Sequence, residues 1–88
     1  MQMIGTYDFY QYNVAGFEIE IGSVGYPVTA VGNRPFGYIS KTGTVTIYVN
    51  QADLSTISAA VEQDVTAGVV TFIYKSSING ETIQTNVR

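Results

Sequence analysis

Residues 44–87, TVTIYVNQADLSTISAAVEQDVTAGVVTFIYKSSINGETIQTNV, carry the segment that decides the fold. Val45, Ile47 and Val49 alternate with Thr44, Thr46 and Tyr48, the period-2 pattern of a strand built from β-branched residues. The period then changes. Leu54, Ile57, Val61 and Val65 recur at steps of three and four, which stack on one side of a helix. Asp53 stands where a carboxylate can accept the free amides of a first turn, and Gly68 suits a left-handed helix stop, so the spacing predicts a helix over about 53–67. Beyond it, two apolar-alternating runs flank Asn79-Gly80, the dipeptide of a type I′ hairpin. A two-residue turn there pairs Phe72 with Val87. It gathers Val70, Phe72, Tyr74, Ile83 and Val87 on the core face, with Thr71, Ile73, Lys75, Ser77, Thr82, Gln84 and Asn86 on the other. The helix is long enough to bring 45–49 and 69–74 side by side as parallel neighbours, with an antiparallel arrangement also open.

Outward from this segment, Phe17-Glu18-Ile19-Glu20-Ile21 is a clean alternation between Gly16 and Gly22. Residues 24–31 form a further strand weakened by Pro27, and 32–35 a turn. Residues 36–49 read as a hairpin looping at Lys41-Thr42-Gly43. The sequence shows no internal repeat and no linker, so the expectation is a single domain over 1–88. Its class is α+β: two layers, a twisted, mainly antiparallel sheet or partly closed barrel of five or six strands, and one amphipathic helix.

Composition excludes several functions. Charged residues make up 12% of the chain, about half the usual share, and the net charge is −3. Four scattered cations are too few to neutralise a nucleic-acid backbone or to hold an anionic membrane. With neither cysteine nor histidine, thiolate sites and the commonest general base are ruled out. No basic, apolar leader opens the chain, and no apolar run approaches the roughly 20 residues of a membrane span. The expectation is a soluble protein made in the cytoplasm without a signal peptide.

Candidate chemistry is thin. Glu18 and Glu20 share a strand face at about 7 Å, but nothing beside them would separate two pKa values for acid–base work. Lys41-Thr42-Gly43 lacks the companion motifs of penicillin-binding serine enzymes, and Asp53 and Glu62 are too far apart on one helix to share a cation. No cofactor, metal or small-molecule substrate is expected, and no enzyme activity. Low charge and a Tyr/Thr/Asn/Gln surface point instead to a non-enzymatic, self-associating subunit of a larger assembly. In character this is similar to the small capsid-decoration or tail-type accessory components of bacteriophage virions. The candidate interface is aromatic at Tyr7, Phe9, Tyr10 and Tyr12, a strand at an edge or a docking arm, and bland on the helix at Ser55, Thr56, Ala59, Ala60 and Gln63. The alternative is a small acidic, monomeric binding module or inhibitor whose patch is Glu18, Glu20, Glu62 and Asp64.

Overall fold

The computed structural model describes residues 2–88. Six strands and one short helix follow in the order β1 (Gln2–Ile4), β2 (Phe17–Ile21), β3 (Val28–Val31), β4 (Gly43–Val49), α1 (Leu54–Val61), β5 (Val70–Ser76) and β6 (Thr82–Val87). A 3₁₀ turn, Gln51–Asp53, leads into α1. The α+β class holds. The strands form two sheets, β1-β3 and β2-β4-β5-β6, neither closed into a barrel.

The direction of the strands differs from the mainly antiparallel expectation. β1 with β3, β2 with β4 and β4 with β5 are parallel, and only β5 with β6 is antiparallel. The reason is a winding course. Phe17 pairs with Gly43 and Gly43 with Val70, so the chain returns to the same sheet after 26 and then 27 positions. From β1 to β4 the strands alternate between the two sheets, and no hairpin forms over 36–49. Residues 36–42 are turns that carry the buried Phe36 and Ile39 inward. This is a solenoid-like stack, in which each winding buries its apolar side against the next. The periodicity lies in the backbone course and leaves little trace in residue identity, which is why the sequence shows no repeat.

Even the corners repeat. The amides of Tyr7, Phe9 and Gln11 donate to the carbonyls of Asn33, Pro35 and Gly37 at 2.7–3.0 Å, and Tyr38 donates to Asp64 at 3.0 Å. Gln11, Tyr38 and Asp64 all take left-handed φ, at 55°, 54° and 56°. Such angles are uncommon outside glycine and are not legible from these side chains.

Across the larger sheet, Ile19, Val45 and Phe72 make one apolar rung and Ile21, Ile47 and Tyr74 the next. Phe36 fits edge-on against Phe72, at 5.6 Å between centroids. Gly43 is extended rather than a turn residue. It is glycine because a Cβ there would strike the Phe17 ring on the neighbouring strand.

The helix is shorter than the 53–67 its apolar spacing suggests. It ends at Val61, the left-handed Asp64 turns the chain, and 62–69 return it to β5. Val65 still packs on the core, from a turn rather than from the helix. Asp53 precedes α1, but its carboxylate makes no capping bond. Gly68 is left-handed at φ 80°, seven residues beyond the helix it was expected to close. α1 lies beside β3, where a third winding would otherwise place a strand.

The β5–β6 hairpin is present, with a different turn. Gly80 alone has positive φ, so the type I′ geometry, which needs it at Asn79 too, is absent. Ser76 accepts from the Gly80 amide and donates to the Glu81 carbonyl, both at 2.8 Å, which leaves a four-residue loop. Asn79 Oδ1 accepts from the Glu81 amide at 3.0 Å. The longer loop moves the pairing by two positions and an irregularity between Tyr74 and Lys75, opposite Ile83, moves it back by one, so Phe72 pairs with Asn86 rather than Val87. Past that irregularity the side chains of β6 turn over, while Ile83 still packs against the core as expected. Val87 is thus 71% exposed, and Asn86 faces the core side with Phe72.

Candidate functional site

Consider first where the stack is closed. At the β6 side, Glu62 follows directly after α1 and is buried, and three donors converge on its carboxylate. Tyr74 Oη donates to Oε2 at 2.6 Å, Asn86 Nδ2 to the same oxygen at 2.8 Å, and Arg88 Nε to Oε1 at 2.8 Å. Burial alone would push the Glu62 carboxyl up. Bonds from Arg88, Tyr74 and Asn86 outweigh that and hold it below its ordinary value. The Tyr74 hydroxyl is pushed far above the phenol range, by burial first and by the carboxylate second. This cluster fastens the helix end to β5 and β6. Val70 and Arg88 add a reciprocal pair of backbone bonds at 2.5 and 2.7 Å. The end is tied, with one free edge at β6.

The other end is open. β1 has β3 as its only neighbour and β2 has β4, so both sheets finish in a free-edged strand on the first winding. Among the described residues, four of the nine large exposed hydrophobics, Met3, Tyr7, Tyr12 and Val14, belong to the first winding. Val24 and Tyr26 lie in the turn after β2, whose Gly25 amide donates to Ser77 beside the β5–β6 loop.

The aromatic segment is neither an edge strand nor a free arm. It is wound as turns against 33–37, with left-handed φ at Tyr7 and Gln11. Phe9 stacks face to face on Phe36 at 5.0 Å and 3°, so it supports the core. Tyr10 is half-buried between Tyr7, at 4.8 Å, and Tyr38, at 5.6 Å. Tyr12 leans on Phe17 at 5.5 Å. Tyr7, Tyr12 and Tyr38 are left exposed. Tyr38 was not singled out from sequence, because only the winding reveals that it stands over Tyr10. Of the residues expected on the helix face, Ser55, Thr56 and Ala59 are exposed and Ala60 half-buried on α1, whereas Gln63 is exposed in the turn after the helix ends. All lie at the α1 side of the stack rather than on the first winding.

The proposed acidic patch is not brought together. Glu18 and Glu20 are exposed on β2. Glu62 lies on the opposite, inner side of the sheet with Tyr74, and Asp64 is engaged by Arg34 in an ion pair. Asp64 raises the Arg34 pKa first, through its hydrogen bond, and Tyr7 adds to it. Two shallow hollows, of about 370 and 320 Å³, open over the outer face of β2 and β4. Glu18 borders both. Among the described residues no group of three carboxylates could hold a metal, and no helix is long and apolar enough to cross a membrane.

In comparisons with protein-family models, curated proteins and solved structures, nothing matches this chain.

Proposed function

We propose that this protein is a non-enzymatic assembly subunit that joins its neighbours through the first winding. The observation that carries the reading is the asymmetry of the stack. One end has α1 packed beside β3 and the Glu62 cluster tying α1 to β5 and β6, with a free edge at β6. The other leaves the edges of both β1 and β2 uncovered and exposes Met3, Tyr7, Tyr12 and Val14. Exposed apolar side chains grouped on one surface mark association sites, and tyrosines suit them because they offer large area with few rotors to order. Low charge removes the repulsion that keeps small soluble domains apart. Self-association centres on Tyr7, Tyr12 and Tyr38, with the bland helix face available to a further neighbour. A small component of a virion, of the capsid-decoration or tail-accessory type, is the setting this combination suits best.

The test is the double variant Tyr7→Ser/Tyr12→Ser. Tyr7 is 50% exposed and Tyr12 37%, the latter resting on Phe17. The fold is therefore expected to survive, with a circular-dichroism spectrum like the parent's and a melting temperature lower by about 4–8 °C. Sedimentation velocity is expected to show oligomers in the parent and a monomer in the variant. Unchanged oligomers in a folded variant would remove the tyrosines from the contact.

A further inference from the structure

β2 is five residues long and ends its sheet, so every second backbone N–H and C=O along it points away from β4 with no partner strand. Its outer-face side chains are Glu18 and Glu20, both exposed and about 7 Å apart. Among the described residues the two ion pairs use other carboxylates, Asp64 with Arg34 and Glu62 with Arg88. The glutamates therefore stand uncompensated along an open edge. They border the hollow that continues over Thr44 and Thr46.

We infer that the strand completing this edge comes from a basic partner: an extended segment of another protein with Lys or Arg at alternate positions, set opposite Glu18 and Glu20. This rests on the assembly reading and names a partner for the same winding. A second copy of β2 does not fit. Two-fold pairing about Ile19 would set Glu18 of one chain against Glu20 of the other, and like charges directly opposite each other are destabilising. A neutral strand would satisfy the backbone and leave both carboxylates unpaired. A basic strand satisfies both sets of groups at once. Alternation is required because only every second side chain of the incoming strand lies over the outer face. The two cross-strand charge pairs amount to roughly ten-fold in affinity, and opposite charge also steers the encounter at low salt.

The experiment uses the full chain, isotope-labelled for amide detection, with three short peptides that alternate threonine with lysine, glutamine or glutamate. The lysine peptide is expected to slow exchange at the outward amides of β2 and to bind roughly ten-fold more weakly to the Glu18→Gln/Glu20→Gln variant. It is also expected to weaken as salt is raised. The glutamate peptide is expected to leave β2 unchanged. A glutamine peptide that protects β2 as well as the lysine peptide does would overturn the inference, since the edge would then take strands without regard to charge. So would lysine-peptide binding that leaves β2 exchange untouched. Protection of β2 by no peptide overturns it as well, while the assembly reading is judged separately by the mass of the protein alone. An unchanged melting temperature for the glutamine variant verifies that its fold is intact.

Discussion

Replacing Tyr74 by Phe removes one hydroxyl from the Glu62 cluster and nothing else. The ring is fully buried and stacks on Phe72 at 6.4 Å and 19°, contacts that phenylalanine retains. What disappears is the 2.6 Å bond to Glu62 Oε2. A hydrogen bond to an ionised group contributes about 1.5–3 kcal/mol net. Oε2 keeps its bond from Asn86, so the loss belongs in the lower half of that range, about 2 kcal/mol. For a domain of this size that lowers the melting temperature by about 8–16 °C. The pH dependence has a definite sign. Glu62 is held below its ordinary carboxyl value in the fold, so its contribution is fully present above that value and is lost as pH falls through the folded one. Tyr74→Phe takes away one of the three donors that depress it. The stability gap between parent and variant is therefore expected to be constant above about pH 5.5 and to narrow on further acidification. Urea unfolding of both proteins at neutral pH and near pH 3 measures this. A loss below about 0.5 kcal/mol at neutral pH, or a gap that widens in acid, would refute the reasoning.

Gly43→Ala places a methyl group against the Phe17 ring across β2 and β4, and overpacking of this kind costs about 1–3 kcal/mol, readable as a lower denaturation midpoint. Gly80→Val combines a left-handed φ of 75° with a Cβ contact of 3.3 Å to Val24, and is expected to cost about 2 kcal/mol or more. Gly68→Ala shares the positive φ but meets no atom within 4 Å, so it isolates the backbone cost at about 1–2 kcal/mol in the same unfolding assay.

Local patterning revealed much of this fold. The alternations at 17–21, 45–49 and 70–74 became strands with the expected inward residues, and Leu54, Ile57 and Val61 lie on a helix turned to the core. The parallel alternative for β4 and β5 also proved to be the arrangement adopted. What stayed hidden was the winding. Its corners use left-handed Tyr7, Gln11 and Tyr38, side chains that carry no turn signal, and left-handed Asp64 inside a stretch whose spacing suggests helix, whereas Gly43 resembles a turn glycine but clears space for Phe17. The hairpin dipeptide was visible, but neither its loop length nor the irregularity between Tyr74 and Lys75 was, and the irregularity moved Val87 outward and Asn86 inward. Of the candidate interface, Tyr7 and Tyr12 are exposed, whereas Phe9 is absorbed by the core through a stacking partner 27 positions away. Glu62 resembled a solvated acid on a helix. Its burial depends on Tyr74, Asn86 and Arg88, which only the three-dimensional course gathers.

The central claim, that the open first winding joins subunits, meets its most direct test in the molar mass of the protein in solution, measured by light scattering over a concentration series at low and high salt. The account predicts a mass above the 9.5 kDa of one chain that rises with concentration in the micromolar range and persists at high salt, because the contact is chiefly apolar. A mass of 9.5 kDa at every concentration and both salt levels would contradict it.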